Sequence, residues 1–268
     1  VPKIPTDVAR ACGAWYFIPP SARRVETDEY LLLRYPDWYE HPLQLFGILP
    51  ERPLAEVLDE ALDEARALIG EVAPEILCWA RLTAPSGLDE ALSARGGVLE
   101  ERLDVLARTL SVETVSADTV PSPPAPEGVA LRWTDRFATF VDAVRLNTEI
   151  FGGTLPPEDA LRRLFDEEAE KVRTGGGGSV VAYLDGTAVA AGGVTVVGPD
   201  ARLWGGGVLP EARRRGIYAA LLHERLRYGV AHGARLALVK GRVDTSAPLL
   251  RRTGFEGYGQ ERSYLLPL

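Results

Sequence analysis

Val208-Leu209-Pro210-Glu211-Ala212-Arg213-Arg214-Arg215-Gly216-Ile217-Tyr218 decides the reading of this chain. An apolar strand, Ala201 to Val208, runs into it, and a helix from Gly216 to about His232 runs out of it, with Tyr218, Leu222, Leu226 and Val230 at helical spacing. The first amides of a helix have no partner inside it, and the helix dipole adds positive potential there. That combination suits a pyrophosphate. Glycine at 216 allows close backbone approach, and the arginines can neutralise phosphate charge. The alternative is a solvated Arg213-Arg214-Arg215 run ahead of an ordinary helix, but the strand-before, helix-after context favours a site.

Working outward, the stretch before the motif reads as strand Gly128–Trp133, helix 136–147, a Phe151-Gly152-Gly153 loop, helix 157–173 and a four-glycine break at 175–178. Strands 179–184 and 187–197 follow, joined by an Asp185-Gly186 hairpin turn. After the motif come strand 236–240, a short helix carrying Pro248 in its first turn and ended by Gly254, and strand 258–266. The order β-α-α-β-β-β-α-β-α-β is a mixed α/β architecture. Val120 to Glu127, VPSPPAPE, holds four prolines in eight residues and reads as a linker. The expected domains are 1–120, a linker at 121–127, and 128–268. The first part repeats the pattern of the end of the second at an offset of 158: Leu92 falls on Leu250 and Gly96 on Gly254. Ser86 and Asp89 are expected to open its helix as a capping-box-like pair.

The motif, the meander before it and the Gly254-Phe255 close resemble the GNAT superfamily of acetyltransferases, over about Gly128 to Leu268. The resemblance implies the acyl-CoA N-acyltransferase fold in tandem form. The first half is degenerate, because at the same offset Arg213 and Gly216 fall on Ala55 and Leu58. It further implies that acetyl-CoA is the acyl donor. Val208 would then contact the pantetheine arm, and Arg213, Arg214, Arg215, Gly216, Ile217 and Tyr218 the pyrophosphate, with Asp244 near the cofactor. Tyr218 departs from the family's small residue, and its alternative role is packing; for Asp244 the alternative is a turn residue capping the next helix. A family tyrosine that protonates the leaving sulfur is replaced by Leu250, which leaves Tyr258 and Tyr264 as candidates. Glu149, placed in the loop between the first two helices, is the candidate contact or base for a cationic amine, against the alternative of a solvated carboxylate. Gly205, Gly206 and Gly207 leave room beside their strand or accommodate a bulge.

Composition bounds the rest. A net charge of −8 disfavours nucleic acid as a partner and is compatible with attraction of a cationic amine. Only two cysteines argue against a disulfide scaffold, and three histidines that lie near neither cysteine in sequence argue against a zinc site, so no metal is expected. No apolar run is long enough to span a bilayer, and Val1 to Ala11 lacks the apolar core of a signal peptide, which makes the cytoplasm the expected location. The expected activity is direct acetyl transfer from acetyl-CoA to the amine of a small molecule. The alternatives are a non-catalytic coenzyme A-binding or regulatory module, and an enzyme using another acyl-CoA or a protein acceptor.

Overall fold

The computed structural model describes residues 4–69, 75–111 and 125–268; most of the proline-rich linker, 121–124, lies outside them. The chain forms two compact units of mixed α/β architecture. The first comprises residues up to 106 with 241–252 and 256–268; the second comprises 107–240 with 253–255. The C-terminal strand thus packs with the beginning of the chain, so compactness does not follow chain order across the linker.

In the first unit, strands β1 (Arg23–Glu26), β2 (Leu31–Arg34), β3 (Leu43–Phe46), β4 (Glu75–Ala80), β5 (Val98–Thr109) and β11 (Glu256–Pro267) lie in the order β1-β2-β3-β4-β11-β5. Helices α1 (Thr6–Gly13), α2 (Leu54–Ile69), α3 (Leu88–Ala94) and α7 (Ser246–Arg252) belong to it. Helix α2 buries Val57, Leu58, Ala61, Leu62 and Ala65, a stripe at i, i+1, i+4, i+5 and i+8. This stripe joins Leu32, Leu43, Leu45, Ile76 and Leu266 in one core. β11 pairs antiparallel with β4 from Arg262↔Ala80 to Pro267↔Glu75.

The repeat is sharper in space than in sequence. Helices α3 and α7 begin at Leu88 and Ser246 and end at Ala94 and Arg252; strands β5 and β11 begin at Val98 and Glu256 and end at Thr109 and Pro267. All four boundaries keep the offset of 158. The capping box at Ser86 and Asp89 does not form. Gly87 is the N-cap, with no side-chain cap, and the Asp89 carboxylate instead accepts from Arg262 and from Tyr264. A charged partner and a half-buried hydroxyl hold this carboxylate better than an exposed amide would.

In the second unit the order is β10-β9-β8-β7-β6, from β6 (Val129–Trp133), β7 (Gly177–Leu184), β8 (Thr187–Val197), β9 (Asp200–Val208) and β10 (Leu236–Arg242). Helices α4 (Phe137–Phe151), α5 (Glu158–Thr174) and α6 (Ile217–Ala231) accompany them. Asp185 and Gly186 both have positive φ, 49° and 85°, as the expected hairpin requires. Gly177 must be glycine, since a Cβ there would sit 2.1 Å from the carbonyl oxygen of Val194. Of the expected stripe of α6, Leu222 and Leu226 are buried and Tyr218 and Val230 only half-buried, while Ile217, Ala220, Leu221, Arg225, Tyr228 and Gly229 are buried as well. The helix is enclosed on more than one side.

Candidate functional site

The parallel pair β9–β10 is in register from Asp200↔Leu236 to Leu203↔Val239. Beyond Leu203, β9 runs on to Val208 with no further recorded pairing to β10, so the two strands part. On its other side β9 stays with β8, but with a bulge: Gly193 faces Trp204 and Ala191 faces Gly207, which sets Gly205 and Gly206 against Gly192 alone. Gly205 has φ +56°, where other residues are strained. The bulge reading of the three glycines holds. The open-space reading does not. A Cβ at Gly207 would meet Ile150 at 2.7 Å, one at Gly206 would meet both terminal nitrogens of Arg225 at 3.1 Å, and one at Gly205 would lie 3.3 Å from Asn147. Side chains of α4, beside Gly205 and Gly207, and of α6, beside Gly206, already occupy these positions.

Arg225 explains the bulge, and the sequence reading passed over it. It is only 1% exposed, and among the described residues no carboxylate pairs with it. Nε donates to Leu221 O at 3.2 Å, and Nη1 to Gly193 O and Trp204 O at 3.4 Å. The carbonyls freed by the bulge therefore receive a buried guanidinium, and only glycines at 192 and 206 leave it room. Burial pushes its pKa down, with the Tyr218 hydroxyl acting in the opposite sense. Trp204 lies flat on Gly193 and donates Nε1–H to Thr195 Oγ1 at 3.0 Å, a packing role.

After Val208, Pro210–Ala212 forms a 3-10 turn, Arg214 takes a left-handed φ of 62°, and Gly216 caps α6 at φ +78°. No side chain caps α6, so its first amides remain open to an anion. Val208, Ala212, Ile217 and Leu221 anchor the loop in the core, and Tyr218, half-buried, packs on the same cluster. Arg213 folds back, its Nε donating to Val208 O at 3.1 Å. Arg214, Arg215 and Gly216 are exposed. A Cβ at Gly216 would press on Pro126 at 3.4 Å besides being strained. Val208 and the run Arg213–Tyr218 thus come together around the helix start.

The other predicted residues lie elsewhere. Glu149 is not in a loop, because α4 continues to Phe151; it is exposed in the last turn of that helix. Asp244 is exposed in the turn before α7, in the first unit. Leu250 is fully buried in α7. Tyr258 donates to Glu256 at 3.0 Å and Tyr264 to Asp89 at 2.9 Å, both on β11 in the first unit, and burial raises the pKa of each. Among the described residues no three His, Cys, Asp or Glu side chains form a metal-ligating group, and no helix is long and apolar enough to cross a membrane.

A second signal was present in the sequence and overlooked. Gly47-Ile48-Leu49-Pro50-Glu51 repeats Gly207-Val208-Leu209-Pro210-Glu211 at an offset of 160. In the second unit six positions separate Glu211 from the helix start at Ile217; in the first, three separate Glu51 from Leu54. The loop that carries the arginines and Gly216 is absent there. In its place the Glu29 carboxylate accepts from the amides of Glu51 at 2.9 Å and Arg52 at 3.1 Å, and from Arg52 Nε at 2.9 Å. The Arg52 side chain holds this carboxyl below the usual glutamate range.

Residues 140–255 match the model of the Acetyltransferase (GNAT) family. A GCN5-related N-acetyltransferase from Kribbella flavida is similar over 92% of this chain and 90% of its own, at 20% identity and a TM-score of 0.65. One from Sphaerobacter thermophilus is similar over 89% and 80%, at 20% identity and a TM-score of 0.66. A tandem GNAT protein from the clavulanic acid biosynthesis pathway is similar over 98% and 88%, at 20% identity and a TM-score of 0.64. No curated protein matches the sequence.

Proposed function

We propose that this chain, whose residues 140–255 match the model of the Acetyltransferase (GNAT) family, is an N-acetyltransferase that passes an acetyl group from acetyl-CoA directly to the amine of a small molecule. The observation that carries this reading is the uncapped start of α6, with Gly216 at φ +78° and exposed Arg214 and Arg215 around it. These residues fit a pyrophosphate: convergent amides supply hydrogen bonds, the helix dipole and two guanidinium groups supply charge, and the missing Cβ supplies access. Acetyl-CoA, when bound, supplies an activated thioester.

The chain's own residues position that reaction rather than enter it covalently. The end of β9, parted from β10 after Leu203, presents backbone amides and carbonyls that can bind an extended arm. Arg225 and the glycine bulge fix the course of that strand, so that its polar groups are set before any ligand arrives. Glu149, exposed at the end of α4, is the carboxylate proposed to attract a cationic amine. Neither Tyr258 nor Tyr264 is proposed as the acid, since each hydroxyl is held by a carboxylate in the first unit.

That same commitment, together with Leu250 in place of the family tyrosine, favours one second reading: a module that binds coenzyme A without turnover. Thiol release separates the two. Incubation with acetyl-CoA and a panel of primary and secondary amines releases thiol faster than acetyl-CoA alone if the chain is an enzyme. Tight coenzyme A binding with no release above the blank, for any amine or longer acyl donor, overturns the catalytic reading.

A further inference from the structure

The first unit keeps the strand parting of the second but not its anion cradle. Strands β3 and β4 are in parallel register at Gln44↔Leu77 and Leu45↔Cys78; no pairing between them is recorded beyond that, and β4 continues to Ala80. A cavity of about 260 Å³ lies where they part, walled by Ile48 and Leu49 on one side, Trp79 and Leu82 on the other, and Tyr16. Its size falls just below the range of about 300–1,000 Å³ usual for drug-sized ligands, so it suits something small.

The chemistry of the wall is neutral. Arg81 is the buried cation, and each of its nitrogens is engaged: Nε donates to Glu261 at 2.9 Å, Nη1 to Trp15 O at 3.3 Å, and Nη2 to Cys12 O. Its charge is met by Glu261, which also accepts from Cys12 Sγ at 3.0 Å and from the Leu82 amide at 3.3 Å. A charged ligand finds no opposite charge to replace the water it gives up. The next anion position along the fold, the amides of Glu51 and Arg52, is filled by Glu29.

We propose that this cavity binds a small, uncharged, mainly apolar molecule, and that the Glu29 carboxylate excludes from the first unit any ligand bearing a pyrophosphate. The Gly-Ile-Leu-Pro-Glu segment is then a cofactor loop whose anion has become part of the protein, while the apolar space ahead of it remains usable.

Indole serves as the uncharged probe, titrated into the whole chain and followed by calorimetry or ligand-observed NMR. Saturable binding is expected, weakened at least tenfold by Leu49→Asp, which charges an exposed wall residue, and by Ala9→Trp, which fills the cavity from α1. Leu49 is 56% exposed, so its substitution leaves the core intact. No saturable binding, or binding unaltered by both substitutions in folded protein, overturns the site. Coenzyme A titrated into the same chain is expected to occupy one site, and two per chain overturns the exclusion by Glu29. No coenzyme A binding at all refutes the proposed function instead, leaving the indole result to decide this inference.

Discussion

Replacing Gly216 by Val perturbs the start of α6, where the pyrophosphate is proposed to sit. The native φ is +78°, a region that costs an L-residue about 1–2 kcal/mol, and a β-branched side chain fits it worse still. The chain can keep the loop and bear that strain, or swing Gly216 to negative φ and turn the amides at 216–218 away from their common focus. A hydrogen bond to a charged group contributes about 1.5–3 kcal/mol, so losing one or two such bonds to a pyrophosphate amounts to about 2–5 kcal/mol. At 1.4 kcal/mol per tenfold, coenzyme A affinity falls by a factor of about 30 to several thousand. The residue is exposed and, among the described residues, its Cβ would press on Pro126 alone, so global stability falls by no more than about 2 kcal/mol. Calorimetric titration reads the affinity and a thermal melt reads the fold. A folded variant with unchanged affinity refutes the placement of the pyrophosphate at α6.

Reversing Arg214 and Arg215 to Glu weakens coenzyme A binding at low salt by about tenfold or more, with a difference that shrinks as salt is added, since both side chains are exposed. A salt-independent loss would point to misfolding. Arg225→Ala leaves an empty space under Gly192 and Gly206 and costs about 2–5 kcal/mol in denaturant unfolding, whereas Arg225→Met, which fills it, costs less. Equal losses would show that the charge, not the volume, holds the bulge. The carboxyl of Glu29 titrates below its ordinary value of 4.5 in the folded chain, so its stabilisation is complete above that pH and is lost as pH falls through the folded value. Glu29→Gln accordingly flattens the acid limb of a stability-against-pH curve below about pH 4.5, and an unaltered limb would remove Glu29 from the account.

The sequence was most legible where local chemistry is unambiguous. Asp185-Gly186 demanded a hairpin, Gly175 ended a helix, and the Val208–Tyr218 motif carried its strand, loop and helix with it. The offset of 158 carried the expected strand 258–266 onto 100–108, inside β5, and set Leu92 in α3 against Leu250 in α7. Long-range partners were not legible. Nothing local says that Asp89 turns from its helix cap to meet Arg262 and Tyr264, 173 and 175 residues away. Nothing in Arg225 marks it as a buried cation, because its partners are backbone carbonyls exposed only by a bulge. The Gly205–Gly207 run suggested space because glycine has no side chain; the space belongs to Arg225, Ile150 and Asn147 instead. The five-residue repeat beginning at Gly47 was legible but lay two residues off the offset that the later elements obey.

Hydrogen exchange of the backbone amides, with and without coenzyme A, tests the central claim most directly. The account predicts protection on binding at 213–218, where α6 begins without a side-chain cap, and along β9 towards Val208, with none at the amides of Glu51 and Arg52, which Glu29 already holds. Protection centred on Glu51 and Arg52, or coenzyme A binding that leaves 213–218 unchanged, would contradict it.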